Sequence, residues 1–221
     1  MNPVLLIQDL HIRRQNRDII QGAELRLEKG DAAVLSGSNG CGKTTLLRCI
    51  AGLLPSVQGS ITILGMESTS AKWKKNRHHL AYVSQEQQSR DFPVTVEEMA
   101  ATGLAGISMP SSERTKTITK ALEDTGCLSL KDRYFFSLSG GERQRVALAR
   151  CLCQGAQIML LDEPLTYLDK EGRRSFSTLL ENIRKNYGIT ILLVTHTEDE
   201  LSAVGWKRIH LGDGILELYN D

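Results

Sequence analysis

The sequence has little excess charge and few aromatic residues. Its 221 residues carry a formal net charge of +1 at pH 7, and 5% of them are aromatic. Proteins that bind the phosphate backbone of nucleic acids usually present a concentrated basic face, so we expect no nucleic-acid partner. The locally basic stretch at residues 72–79 is typical of the solvated face of a helix or loop.

A long apolar run and a patterned set of cysteines are also missing. The longest apolar stretches, such as residues 191–194, have the length of a sheet strand, whereas a membrane-spanning helix needs about 20 residues. No signal peptide is recognisable, so we expect any passage through a membrane to be provided by another chain. The five cysteines are odd in number and unevenly spaced, which favours reduced thiols of a cytosolic protein over a disulfide framework.

The hydrophobic residues, 41% of the chain, alternate between strand-like and helix-like patterns. Short apolar runs predict strands at residues 4–10, 23–27, 32–35, 61–64, 80–84, 158–161 and 189–194. Helical patterns predict helices at about residues 43–51, 112–125, 139–153 and 170–187. This alternation predicts an α/β fold with a mainly parallel sheet and an antiparallel portion. Within a single domain, we expect residues 1–85 and 155–221 to form the core and residues 86–154 an inserted helical subdomain.

Local signals mark several boundaries of these elements. Capping boxes, in which a hydroxyl and a carboxylate three residues later satisfy the first backbone amides of a helix, are predicted at residues 95–98, 139–142 and 197–200. Asp213-Gly214, between two short apolar runs, predicts a closing hairpin.

A glycine-rich motif follows the third predicted strand. Residues 37–44 read Gly-Ser-Asn-Gly-Cys-Gly-Lys-Thr and match the phosphate-loop pattern G-x-x-x-x-G-K-[ST]. Glycines let backbone amides approach phosphate oxygens, and the next helix directs its positive end at them. The lysine amine provides a charge for the β- and γ-phosphates, and the threonine hydroxyl can bind Mg²⁺. The residues predicted to hold a nucleotide here are Gly37, Ser38, Asn39, Gly40, Cys41, Gly42, Lys43, Thr44 and Thr45.

Two carboxylates end the buried strand predicted at residues 158–161. Asp162 and Glu163 could be solvated strand-end acids, but a phosphate loop upstream favours a catalytic role. Asp162 is placed to hold Mg²⁺, directly or through water. Glu163 is our candidate general base for the attacking water.

A third motif identifies a family resemblance. Residues 138–144, Leu-Ser-Gly-Gly-Glu-Arg-Gln, resemble the signature of the ATP-binding-cassette (ABC) ATPases, with Glu142 where many members carry Gln. The resemblance covers essentially the whole chain and implies a phosphate-loop NTPase core with an inserted helical subdomain. It further implies that Ser139, Gly140, Gly141 and Glu142 contact the ATP held by a second copy.

The same resemblance assigns roles elsewhere. Gln85 is similar to the glutamine that senses Mg²⁺ and water and touches the membrane partner, and His196 to the switch histidine that contacts the γ-phosphate. Leu168-Asp169 resembles the D-loop, with Thr166 at the position of the usual Ser. The catalytic set implied is therefore Lys43, Gln85, Glu163 and His196, and the metal set Thr44, Gln85 and Asp162.

Recognition of adenine departs from the family pattern. Members usually stack the base on an aromatic residue, and alignment places Arg14 there. A guanidinium plane can stack on a base, but Arg14 could equally be a solvated residue of a basic turn.

The resemblance also implies partners. Two copies would bind MgATP between them head to tail, giving two ATP sites. A separate membrane permease would dock near Gln85 and residues 86–105, an extracytoplasmic solute-binding protein would belong to the complex, and the chain would lie on the inner face of the cell membrane.

The cargo is the most open question. Residues 91–98, Asp-Phe-Pro-Val-Thr-Val-Glu-Glu, resemble the zinc, manganese and iron importer ATPases, in which an F-P-x-T-V segment recurs. The alternatives are a generic capped helix start in another ABC importer or a single-cassette exporter, or a soluble ABC ATPase of the iron–sulfur assembly type. The closeness of the closing hairpin to the end of the chain leads us to expect no added regulatory domain.

Overall fold

The computed structural model describes residues 2–84, 93–166, 168–195 and 205–219. Two sheets organise this part of the chain. The first is antiparallel, with strand order β2-β1-β4-β5. Its strands are β1 (Leu5–Arg14), β2 (Arg17–Leu27), β4 (Gln58–Ile63) and β5 (Met66–Glu67).

The second sheet is mainly parallel, with strand order β10-β9-β3-β8-β7-β6. Its strands are β3 (Ala32–Ser36), β6 (Leu80–Val83), β7 (Ile158–Asp162), β8 (Thr190–Val194), β9 (Lys207–Gly212) and β10 (Ile215–Tyr219). Only the β9–β10 hairpin is antiparallel, turning at Asp213-Gly214 as predicted. The α/β fold with a mixed strand arrangement is thereby confirmed.

In the described ranges, six α-helices connect the strands. They are α1 (Lys43–Ile50), α2 (Ala71–Asn76), α3 (Val96–Ala101), α4 (Ser111–Asp124), α5 (Gly140–Cys153) and α6 (Lys170–Tyr187). The short helix α2 and strand β5 were not among the predicted elements. Helix α2 begins at a Ser70 cap and buries Trp73 while its lysines stay exposed, which agrees with the solvated basic face expected there.

The parallel sheet separates two hydrophobic cores because its strands are buried on both faces. Along β7, Ile158 and Leu160 face the core shared with the antiparallel sheet and α1, whereas Met159 and Leu161 face the core shared with α5 and α6. This period of two is the expected pattern of a strand, and the continuous apolar run arises because both faces are covered.

A third core lies among α3, α4 and α5. The turn after α3 packs closely on α5, because a Cβ at Gly103 would lie 2.2 Å from the carbonyl oxygen of Arg150. Helix α5 is buried on two sides: Cys151 belongs to the second core and Cys153 to the third. The exact division into a core and a subdomain at residues 86 and 154 stays a prediction.

Helix boundaries follow the predicted capping signals. Thr95 with Glu98 and Ser139 with Glu142 form complete capping boxes. Helix α6 begins after Asp169, whose carboxylate accepts from a backbone amide, and ends at Gly188 with φ 63°. The capping box predicted at residues 197–200 lies outside the described residues. Among the described helices, none has the length and apolar character needed to cross a bilayer.

Candidate functional site

The phosphate-loop motif connects β3 to α1 at the carboxyl end of the parallel sheet. Its glycines are required by close packing: a Cβ at Gly37 would lie 2.3 Å from the Leu211 carbonyl oxygen, and one at Gly42 would lie 2.6 Å from Ile19 Cγ2. Both also have positive φ, 143° and 114°, a region that side chains other than glycine rarely adopt. The motif therefore adopts a backbone that only glycine allows at these two positions.

The start of α1 is open to an anion. Gly42 is the N-cap, and within the described residues no side chain satisfies the first amides of the helix. Amides at a helix N-terminus, together with the helix dipole, favour negative charge. The loop thus provides the donors that a phosphate group needs.

Lys43 is 6% exposed, and its amine lies against the loop. Its Nζ donates to the carbonyl oxygens of Gly37 at 2.7 Å and Ser38 at 2.9 Å. Both acceptors are neutral carbonyls, which solvate the ammonium without neutralising it. A phosphate oxygen offers a negatively charged acceptor in their place, so this amine fits the role predicted from the sequence.

A cleft of about 510 Å³ adjoins the loop. The antiparallel sheet contributes one wall and the β9–β10 turn another, joined by the hydrogen bond from the Gln21 amide to the Gly214 carbonyl at 2.8 Å. Described residues lining the cleft are Asp18, Ile19, Gln21, Ser38, Asn39, Gly40, Cys41, Asp213 and Gly214. The cleft extends from the phosphate loop towards the hairpin that carries Arg14.

The structure brings together two of the three predicted metal ligands, Thr44 and Asp162. Thr44 Oγ1 donates to Asp162 Oδ1 at 3.0 Å, although the residues are 118 positions apart. The second carboxylate oxygen, Oδ2, accepts from the Tyr82 hydroxyl at 3.0 Å. A hydroxyl and a carboxylate are hard oxygen ligands, the type that Mg²⁺ prefers.

Burial disfavours the ionised form of this carboxylate. Asp162 is 2% exposed, and burial raises its pKa above the ordinary value of 3.8. The hydrogen bonds from Tyr82 and Thr44 oppose that shift, the neighbouring Glu163 adds to it, and Arg48 counteracts it. A bound cation would favour the ionised carboxylate.

Glu163 follows directly in a constrained backbone. Its φ is 51°, uncommon for a residue with a side chain, and its amide donates to the Val194 carbonyl at 3.0 Å. The Thr166 hydroxyl donates to the Glu163 carbonyl oxygen at 3.1 Å and lies 3.3 Å from Oε2. Positive φ outside glycine persists where surrounding contacts enforce it, often at functional sites.

The signature motif begins helix α5 with an occupied cap. Glu142 Oε2 accepts from the Ser139 amide and hydroxyl, each at 2.7 Å. These bonds hold the pKa of Glu142 below its usual range, with Arg133 Nη1 3.8 Å from Oε1 adding to the effect. An approaching phosphate would therefore have to compete with this carboxylate for Ser139.

Comparison with known protein families and structures agrees with this geometry. A family model described as "ABC transporter" matches residues 20–166, which is more than half of the chain and contains the loop, the acidic strand end and the signature. The chain belongs to the ABC transporter family. The predicted family and the predicted α/β fold are thereby confirmed.

Individual ABC proteins resemble it along most of its length. The energy-coupling factor transporter ATP-binding protein EcfA1 of Streptococcus thermophilus is 34% identical over 183 residues, covering 83% of this chain and 66% of that protein. The Fe(3+) ions import ATP-binding protein FbpC of Pasteurella multocida is 35% identical over 197 residues, covering 89% and 55%. The chain spans two thirds or less of the length of these curated relatives.

Among solved ABC structures, CbiO1 of Clostridium perfringens, part of the transporter complex CbiONQ, superposes with a TM-score of 0.90. It is 28% identical, and the match covers 99% of this chain and 88% of that one.

The described residues do not test the role predicted for three residues of this ABC domain. Gln85 and His196 lie outside the described residues. Arg14 ends β1 and pairs with Arg17 across the hairpin, where it is exposed. Of the described residues, those that line the cleft from this hairpin are Asp18, Ile19 and Gln21. Stacking of adenine on Arg14 stays a prediction.

Two residues beside the site were not predicted. Ile19 packs on Gly42 and lines the cleft, and Tyr82 contacts the metal-binding carboxylate. Neither belongs to a motif: Tyr82 lies in the strand predicted at residues 80–84, whereas Ile19 precedes the one predicted at 23–27 and lies in the observed β2. The only available signal for Tyr82 was its position three residues before Gln85 in the predicted strand.

Proposed function

We propose that this chain is the nucleotide-binding part of an ABC importer that hydrolyses MgATP to drive uptake of a metal ion, zinc, manganese or iron. The observation that supports the ATPase is the assembly of Lys43, Thr44, Asp162 and Glu163 at one end of the parallel sheet. Thr44 and Asp162 would hold Mg²⁺, which would neutralise charge on the transferred phosphate.

The reaction would depend on residues with separate tasks. Lys43 and the amides at the start of α1 bind the β- and γ-phosphates and stabilise the charge that develops there. Glu163 accepts a proton from the attacking water. Gln85 and His196 complete the predicted set, by analogy with the family.

A second copy completes the site in this proposal. The signature residues at the start of α5 would bind the ATP of the opposite copy, and loss of the γ-phosphate would remove those contacts and open the pair. When ATP binds, the carboxylate of Glu142 would release the Ser139 amide and hydroxyl, so that they can donate to the phosphate.

A membrane permease is the partner that would use this motion. A groove of about 400 Å³ lies between α2 and the turn after α3, and Thr102, Gly103 and Ala105 of the proposed docking segment, residues 86–105, line it. It is lined in part by Leu53, Trp73 and Gly103, and Leu53 is 62% exposed. An extracytoplasmic solute-binding protein and a position on the inner face of the membrane complete the proposal.

The metal cargo rests on two observations. Residues 91–98 resemble the segment of zinc, manganese and iron importer ATPases, and the chain is 35% identical to FbpC, whose name states Fe(3+) import. The similarity to EcfA1 favours a second candidate, a transporter of the energy-coupling factor type.

Cellular metal content distinguishes these candidates. Cells that lack this chain would be complemented with either the wild type or Lys43→Ala, and total zinc, manganese and iron would be measured under limiting supply. We expect a deficit in one metal that only the wild type restores, because Lys43→Ala removes the charge that binds the phosphates. Unchanged metals would refute metal import and leave the energy-coupling factor candidate, which identification of the co-purifying membrane subunit would test.

A further inference from the structure

Asp162 is held by two hydroxyl groups, and only one of them belongs to the predicted site. Thr44 Oγ1 donates to Oδ1 and Tyr82 Oη donates to Oδ2, each at 3.0 Å. The carboxylate is 2% exposed, so its orientation is fixed by these contacts rather than by bulk water. Thr44 has a task of its own as a metal ligand, whereas Tyr82 has none assigned.

Tyr82 is itself well fixed. It pairs with Leu160 in the parallel β6–β7 ladder, two residues before Asp162 on the neighbouring strand. From this fixed position its hydroxyl donates to Oδ2 of the carboxylate.

The two contacts on Asp162 would have different roles when a magnesium ion binds. The Thr44 hydroxyl, which contacts Oδ1, is itself a predicted ligand. The Tyr82 hydroxyl is on the other oxygen and can stay. Hydrogen bonds of this kind orient the ligands of a metal and tune their affinity.

We propose that Tyr82 is a positioning residue, whose hydroxyl holds Oδ2 of Asp162 so that Oδ1 faces the metal of the MgATP complex. The proposal rests on the proposed function, since it assumes that Asp162 binds Mg²⁺. The ring of Tyr82 also lines the groove between α2 and the turn after α3, so one side chain joins the metal site to that groove.

Tyr82→Phe isolates the hydroxyl, because phenylalanine keeps the ring that packs in the strand and the groove. A matched control is Tyr187→Phe on α6, which removes a hydroxyl that donates to the carboxylate of Asp124. Both variants would be made in a Glu163→Gln background, so that ATP is not consumed.

The measurement is the affinity for Mn²⁺, used in place of Mg²⁺, by electron paramagnetic resonance in the presence of ATP. We expect Tyr82→Phe to weaken Mn²⁺ binding about 10-fold and to leave the affinity for ATP in EDTA unchanged, while Tyr187→Phe changes neither. Unchanged Mn²⁺ affinity in Tyr82→Phe would refute the positioning role alone. Equal losses with and without metal would also refute it, since they indicate general damage to the site. A background protein that binds no Mn²⁺ with ATP would refute both this inference and the proposed function.

Discussion

Glu181 on α6 allows a quantitative test of the polar network that links α6 to the parallel sheet. Its carboxylate accepts from Arg184 at 2.6 Å and 2.8 Å, lies 3.1 Å from Lys185 Nζ, and accepts from Trp206 Nε1 at 3.2 Å. Arg184 also donates to the Gly30 carbonyl at 2.6 Å. The network therefore joins α6, the turn before β3 and the residue that precedes β9.

The magnitude follows from the pKa of Glu181. The bond to Arg184, reinforced by Lys185 and Trp206 and opposed by burial, lowers that pKa from 4.5 to about 2. A difference of that size corresponds to about 3 kcal/mol of stability at neutral pH. Because Lys185 is 64% exposed and partly screened by water, we expect Glu181→Gln to cost about 2 kcal/mol at pH 7.

The lowered pKa of Glu181 also determines how stability changes with pH. A carboxylate with a lowered pKa in the folded state stabilises fully above its unfolded pKa, here 4.5, and loses that contribution as the pH falls through about 2. Glutamine has no such dependence. Less than half of the difference between wild type and Glu181→Gln should therefore remain at pH 3.

Urea unfolding followed by far-ultraviolet circular dichroism at pH 7 and pH 3 would measure both quantities. Lys120→Gln is the control, since it breaks an exposed ion pair with Asp124 at 2.6 Å, and exposed pairs contribute little to stability. An equal cost of Glu181→Gln at both pH values would refute the electrostatic reasoning and point to packing.

Two further substitutions test the nucleotide site. Glu163→Gln should still bind ATP and form the dimer, but hydrolyse at least about 100-fold more slowly for lack of a general base; near-normal turnover would remove Glu163 from that role. Asp162→Asn should leave the metal-free protein at least as stable at pH 7, because the raised pKa of Asp162 means that its ionised form opposes folding. It should also lose the thermal stabilisation that MgATP gives, and a fall in the metal-free Tm of more than about 4 °C would contradict this account.

Much of the fold was predictable because its signals are local. The capping boxes at Thr95 and Ser139 involve residues three positions apart, and β7 was recognisable as a run of apolar residues. The phosphate loop was predictable for a related reason: its glycines and lysine act through the backbone of one short segment.

Contacts between distant segments were not predictable in the same way. Tyr82 and Asp162 are 80 residues apart and meet only because β6 pairs with β7. The packing of Ile19 on Gly42 likewise depends on how the antiparallel sheet lies on the loop. The expected position of Arg14 near adenine came from alignment alone, and strand pairing places it at the exposed hairpin end. Hydrophobic periodicity predicts neither which strands pair nor how the two sheets pack.

The burial of α5 on two sides gives the protein a pair of internal probes. Cys151 and Cys153 are two residues apart but belong to different cores, and burial raises the pKa of each thiol to about 11. Alkylating reagents attack the thiolate, so each cysteine reacts only when its own core opens by local unfolding. The ratio of the labelling rates of Cys151 and Cys153 would thus show whether the second or the third core opens first when nucleotide binds or leaves.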